Sequence, residues 1–287
     1  MTESELSTRT DEFKERGYTI FRGFNAGWIE QWRPLFIDRY NREIYEDQQS
    51  EGVGQPRAVL RDLLQERIDL FLPPLVDPIM LTFLESLMGP FVGFDSLQVA
   101  ITPSLELGTN QQVHAWHRDM WGLPGWTEDY LPPNAVNVLT YLQSGSEYGR
   151  LRVIPGSHRG SRFVDGDASA HEPDEQYVDL DAGDTVVIHS SLLHTTSGNR
   201  SGDLRIFASY FYTKCWLPKR DKYDNESIQK TIRDARNRGD RRVARLFEPD
   251  HELLLARTSD RGERSEQERW REWVAEDRTE RESYREG

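Results

Sequence analysis

The chain has a single cysteine, Cys215, among 287 residues, so a disulfide within it is impossible. A chain without disulfides suits a reducing compartment, and a cytoplasmic protein is expected. Long apolar runs are missing too: no stretch approaches the roughly 18 residues that a membrane helix needs. The polar segment Met1 to Asp11 carries no apolar signal-peptide core. Positive charge is in deficit, with 36 Lys and Arg against 49 Asp and Glu and a net charge of −13. Nucleic-acid binders and proteins that settle on anionic membranes need a basic face, so neither partner is expected. Internal repeats and low-complexity stretches are absent from the sequence.

What the chain does have is length enough for one large domain, or for one domain and an appendage. Asp11 to Arg16 reads as the end of a helix, and Gly17 to Phe24 alternates apolar and polar residues as a strand does. Asn25 is placed to cap a helix from Ala26 to about Tyr45, in which Trp28, Trp32, Phe36 and Tyr40 recur at helical spacing and are read as core. Glu46 to Pro56 reads as a polar loop, and helices are expected at Ala58 to Leu70 and at Pro78 to Leu87. Strands are expected at Val92 to Thr102, Ala135 to Leu142, Leu151 to Ile154, Tyr177 to Leu180, Thr185 to Ile188 and Leu204 to Thr213. Many short strands parted by Gly, Pro and Asp turns suggest an antiparallel sandwich or barrel. From Leu217 onward the chain turns charged and helical in pattern. Asn225 starts one helix there, and Ser265-x-x-Glu268 is a capping box ahead of Trp270 and Trp273. A solvated helix has no use for two tryptophans, so this tail is expected to dock on the sandwich, to close a site, or to meet a second copy.

The chemistry lies in the strand-rich middle. His117 and Asp119, two apart in an extended segment, point the same way, whereas His114 faces away. His194 follows the strand that ends at Ile188. Two imidazoles and one carboxylate on one face of a metal make the facial triad of non-haem Fe(II) oxygenases, with positions left open. Arg205 stands at the start of the apolar strand Ile206 to Tyr212, where a cation needs a partner. A planar guanidinium suits a carboxylate. A 2-oxo acid would chelate the metal, leave a position for dioxygen and offer its distal carboxylate to that cation. His158 reads as a hydrogen-bonder in a turn and His189 as packing or as support behind the metal ligands, while His171 and His251 are assigned no role. Trp116, Trp121 and Trp126 flank the metal loop as pocket, core or lid residues.

Several stretches taken together resemble the phytanoyl-CoA dioxygenase family. They are His117-x-Asp119; Gly149-Arg150-Leu151-Arg152-Val153-Ile154-Pro155-Gly156-Ser157-His158; Gly183-Asp184 leading to Ile188-His189 and His194; and Asn199-x-Ser201-x-x-x-Arg205. The opening Phe13 to Phe24 is also similar, and the resemblance covers roughly residues 10 to 215. It implies an all-β core with helical additions, a double-stranded β-helix (jelly roll, cupin-like) with N-terminal helices over 1–217; the charged, helical pattern beyond it gives a C-terminal extension over 218–287, expected to pack on that core. It implies Fe(II) on His117, Asp119 and His194, 2-oxoglutarate held by Arg205, and O2 as co-reactant. Thr196 resembles a hydroxyl-bearing position at the cosubstrate and Gln98 a pocket-facing one. Thr102 stands where many members have a lysine, and Leu139 where phytanoyl-CoA hydroxylases have a tryptophan; the aromatic motif of ectoine hydroxylases is missing after Asp119. The implied reaction is hydroxylation of an unactivated C–H bond of a small molecule, with release of succinate and CO2. Desaturation, epoxidation or ring formation would use the same site, whereas halogenation usually requires loss of the carboxylate that Asp119 supplies. Two alternatives are a jelly-roll metalloenzyme working without 2-oxoglutarate, which the position of Arg205 opposes, and a catalytically silent binding protein, which the intact triad opposes. The C-terminal helices would offer a surface for a homo-oligomer.

Overall fold

Alternation along the strands, with one face apolar, makes two sheets that bury those faces against each other. The computed structural model describes residues 1–46, 57–104, 115–120, 129–160, 162, 164 and 171–249. The chain divides into two compact units, one of residues 1–63 with 97–211 and one of 64–96 with 212–287.

The first unit opens with helix α1 (Glu3–Arg16), started by a capping box between Thr2 and Glu5 and stopped by Gly17 at φ 84°. Glycine is needed there twice over, because a Cβ would also lie 2.6 Å from the His158 ring nitrogen Nδ1. Strand β1 (Tyr18–Phe21) follows, and then helix α2 (Ile29–Tyr40). The other strands are β2 (Ala58–Leu60), β3 (Val92–Thr102), β4 (Ala135–Tyr141), β5 (Leu151–Val153), β6 (Gln176–Val178), β7 (Thr185–His189), β8 (His194–Thr196) and β9 (Arg205–Lys214). One sheet runs β1-β7-β4-β9-β3-β2 and the other β6-β5-β8. β7 pairs antiparallel with β1 and β4, setting Tyr18 opposite Ile188 and Leu139 opposite Val186. β5 pairs antiparallel with β6 and β8. Tyr18, Leu139, Tyr141, Leu151, Val153, Val178, Val186, Ile188 and Leu192 form the core between the sheets, and the arrangement is a jelly roll. Each fully buried apolar side chain contributes about 1.5–3 kcal/mol. A one-residue slip would turn the whole set outward, so the register is strongly specified. Asp184 ties the start of β7 to the end of β1, accepting hydrogen bonds from the Gly23 amide at 2.7 Å and from Arg22 at 2.5 Å.

The outer face of the larger sheet carries α2, with Trp32, Phe36 and Tyr40 buried and Trp32 lying 6.3 Å from the ring of Tyr210. Asn25 does not cap this helix. Its amide donates to Thr140 Oγ1 at 2.8 Å and to Thr185 Oγ1 at 3.3 Å, and a 3-10 turn over Ala26–Trp28 starts the helix instead. A buried amide takes the partners that neighbouring strands present, and local capping loses. The expected helix from Ala58 to Leu70 is also corrected. Its first residues form edge strand β2, with Ala58 opposite Ile101 and Leu60 opposite Val99. Backbone pairing to β3 overrides the apolar spacing, and Asp62 at φ 62° ends the strand. The expected loop at 46–56 lies outside the described residues apart from Glu46, which ends the preceding helical segment.

Also in this unit, Phe13, Tyr130, His158 and His189 pack together, with the two imidazoles 5.0 Å apart and Phe13 stacked on His189 at 5.9 Å. His158 donates from Nε2 to the Lys14 carbonyl, and the Ser191 amide donates to His189 Nδ1. Burial pushes His158 down to about 4 and, helped by the charge on His158, His189 down to about 3. Because the folded values lie below the unfolded value of about 6.5, stability is full above that pH and falls as the pH drops toward 4 and then 3. The urea midpoint is therefore expected to decline from about pH 6.5 downward. His189→Asn, whose Oδ1 still accepts from Ser191, should flatten that decline; an unchanged slope would count against the two imidazoles as its source.

In the second unit, helices α3 (Leu63–Glu66), α4 (Ile68–Leu75) and α5 (Pro78–Met88) precede the first half of β3. Helices α6 (Glu226–Asn237) and α7 (Arg241–Phe247) come after β9. Asn225 caps α6 by accepting from the Ile228 amide, as its sequence position predicts. Phe94, Tyr212, Tyr223 and Phe247 share one aromatic cluster, Tyr223 donates to the Asp95 carbonyl, and Arg242 meets Glu85 at 2.8 Å. No single helix among the described residues is long and apolar enough to cross a membrane. Ser265, Glu268, Trp270 and Trp273 lie outside the described residues.

Candidate metal centre

A short antiparallel bridge builds the centre. His117 N–H donates to the His194 carbonyl and His194 N–H to the His117 carbonyl, both at 3.0 Å, so the two side chains emerge side by side. Their ring centroids are 4.3 Å apart. His117 Nδ1 lies 2.9 Å from the Ala115 carbonyl and His194 Nδ1 lies 3.0 Å from the Leu192 carbonyl. A carbonyl only accepts, so each Nδ1 carries the proton and each Nε2 offers a lone pair. Asp119 brings Oδ1 to 3.8 Å from His117 Nε2 and 3.7 Å from His194 Nε2. The three ligand atoms lie within 4.8 Å of one another, close enough to share one ion. Burial, and next the His194 charge, hold His117 below its ordinary value, which favours the neutral ring that binds metal.

Asp119 Oδ2 accepts from Asn137 Nδ2 at 2.8 Å. Asn137 Oδ1 in turn accepts from Ser209 Oγ at 2.7 Å. Asn137 on β4 and Ser209 on β9 both point toward the core, as does Arg205 at the start of β9.

Arg205 is 1% exposed. Its Nη1 donates to the Ser197 carbonyl at 3.0 Å, and its Nη2 lies 3.4 Å from both Thr102 Oγ1 and Thr196 Oγ1. Its Nε is buried without a hydrogen-bond partner, and no carboxylate among the described residues pairs with it. Burial lowers its pKa. The Tyr141 hydroxyl is likewise buried without a partner, and the charge of Arg205 acts on it. Tyr141 stacks on Phe207 at 5.4 Å. A buried cation beside an orphan hydroxyl and two threonine hydroxyls has the chemistry to receive an anion. Gly149, at φ 88°, makes room for it: a Cβ there would stand 2.4 Å from the Ser197 carbonyl oxygen and 2.9 Å from Arg205 Nη1.

The structure thus brings together His117, Asp119 and His194 at one point, and Arg205, Thr102 and Thr196 at another. Gln98 shares the inward face of β3 with Thr102 but stands four residues, about 13 Å, back along the strand; it makes no hydrogen bond among the described residues. Trp116 packs with Ile154 and Leu193 in the core. His114, Trp121, Trp126 and His251 lie outside the described residues. The sequence pattern did not single out Asn137, Ser209 or Tyr141. The one available signal was a polar side chain at an inward position of an apolar strand.

The family described as Phytanoyl-CoA dioxygenase (PhyH) matches residues 13–207. Dioxygenase FUM3 of Gibberella moniliformis is 29% identical over 121 residues, which are 41% of this chain and 38% of that protein. The match therefore spans well under half of that relative. Among solved structures, HygX from Streptomyces hygroscopicus with nickel and 2-oxoglutarate bound has a TM-score of 0.58 at 14% identity, covering 80% of this chain and 94% of that one. The epimerase SnoN from nogalamycin biosynthesis, in complex with Fe3+, alpha ketoglutarate and nogalamycin RO, has a TM-score of 0.57 at 19% identity, covering 75% and 85%. At such identities the likeness is one of fold.

Proposed function

Because the chain belongs to the phytanoyl-CoA dioxygenase family, we propose that it is an Fe(II)- and 2-oxoglutarate-dependent oxygenase that hydroxylates a small molecule. The observation that carries this is the pairing of a His-Asp-His cluster with a buried Arg205, which has no carboxylate partner among the described residues, on the same jelly roll. The donor set fits iron: two neutral imidazoles and one carboxylate oxygen on one face are the ligands of non-haem Fe(II) oxygenases. The anion receptor fits a dicarboxylate. Arg205 would hold the distal carboxylate of 2-oxoglutarate, with Tyr141, Thr102 and Thr196 offering hydroxyls. Bound together, iron and 2-oxoglutarate use dioxygen to form succinate and CO2 and to oxidise an unactivated C–H bond.

The chain's own part is positional. The carbonyls of Ala115 and Leu192 fix the imidazole tautomers, and Arg205 fixes one end of the cosubstrate while burial keeps water from that end. Asp119 fills the ligand position that a halide would need, which favours hydroxylation over halogenation. SnoN with nogalamycin RO and HygX with hygromycin B support a small-molecule substrate.

Anaerobic titration of the metal-free protein with Fe(II) and 2-oxoglutarate tests this. A visible metal-to-ligand charge-transfer band is expected. Iron binding without the band would point to a metalloenzyme that does not use 2-oxoglutarate, and failure to bind either would point to a silent binding protein.

A further inference from the structure

We propose that Asn137 and Ser209 are positioning residues that restrict Asp119 to a single metal-facing oxygen. The proposal rests on the metal reading above and goes beyond it. A free carboxylate can turn both oxygens toward a cation, as calcium sites show. Here the two oxygens are already distinguished: Oδ1 stands 3.8 and 3.7 Å from the two histidine Nε2 atoms, while Oδ2 is held 2.8 Å from Asn137 Nδ2.

The amide orientation follows from chemistry. An ionised carboxylate only accepts, so the Asn137 atom facing it is the NH2 group. The amide oxygen then faces Ser209, whose hydroxyl donates to it at 2.7 Å. The hydrogen bonds run one way, from Ser209 to Asn137 to Asp119, and a flipped amide would set its oxygen against the carboxylate, where no hydrogen bond can form. Asn137 is only 7% exposed, so water is poorly placed to replace either bond. The relay spans two strands that are neighbours in the sheet, β4 and β9, so the carboxylate is braced by the sheet and not by its own loop. With Oδ2 engaged, Asp119 would offer a metal a single oxygen, and a second oxygen would not crowd it.

Co(II) titration of the metal-free protein, without 2-oxoglutarate, separates this from a merely structural role, because the visible d–d spectrum reports coordination number as well as affinity. Asn137→Ala is expected to bind Co(II) about 10- to 100-fold more weakly than wild type, with a d–d spectrum shifted toward higher coordination. Ser209→Ala should move in the same direction by less, and Ser209→Thr, which keeps the hydroxyl, should match wild type. Far-UV circular dichroism establishes that each variant is folded; if Asn137→Ala is not, the Ser209→Ala and Ser209→Thr pair decides. A folded Asn137→Ala with wild-type affinity and spectrum, or in its absence a wild-type Ser209→Ala, overturns the relay alone. Wild-type protein that binds no Co(II), or binds it equally after His117→Ala, overturns the metal reading and the relay with it.

Discussion

Arg205→Met is expected to raise the 2-oxoglutarate concentration for half-maximal turnover by about 100-fold while Fe(II) still binds. Hydrogen bonds to a charged group contribute about 1.5–3 kcal/mol, and each 1.4 kcal/mol is about tenfold. The upper end applies because the guanidinium is 1% exposed and little water is at hand to substitute. Methionine keeps an apolar stem, so packing loss contributes little. A second consequence separates an anion receptor from a structural cation. Without cosubstrate, Arg205 is a buried charge lacking a carboxylate among the described residues, which costs stability. The variant should therefore melt no lower than wild type when 2-oxoglutarate is absent. Added 2-oxoglutarate should raise the melting temperature of wild type and not of the variant. Arg205→Lys should fall between them, since it keeps the charge and loses the planar fork. Unchanged half-saturation in Arg205→Met would remove this residue from the cosubstrate site.

His194→Ala is expected to abolish turnover and the charge-transfer band. Its loss of Fe(II) affinity should exceed the about 10- to 100-fold that altering a supporting residue costs, since a ligand itself is gone. The fold should survive, because the bridge between residues 194 and 117 is made by backbone groups at 3.0 Å that alanine also has. Circular dichroism would show that directly. Added imidazole, occupying the space vacated by the ring, should restore part of the iron binding. A His194→Ala protein that keeps iron and activity would place the metal elsewhere.

These effects depend on features of unequal visibility in the sequence. The buried cation at Arg205 was legible because a cation opening an apolar strand is anomalous in its own neighbourhood. The pairing of His117 with Asp119 was legible because two-residue spacing in extended chain fixes a common side. Tyr141 was not, since an inward tyrosine looks like any other core aromatic until its hydroxyl proves to have no partner. Asn25 misled for the opposite reason: an asparagine before a helix has a good local use, and only the hydroxyls of Thr140 and Thr185 supply a better one.

By itself, then, the sequence determined the strand-rich core, the inward and outward faces of most strands, the helix cap at Asn225, and the order of His117, Asp119, His194 and Arg205. The faces and the cap are set by residues within a few positions of one another, where periodicity and backbone chemistry act. Tertiary structure decided which of those faces meet. It turned Ala58–Leu60 into an edge strand by pairing it with β3, set Ser209 behind Asn137 and Asn137 behind Asp119, and brought the hydroxyls of Thr102 and Thr196 to one guanidinium, whose charge also acts on Tyr141. The physical reason is register: alternation says which side a residue faces, but only hydrogen bonding between strands far apart in the chain fixes what stands beside it.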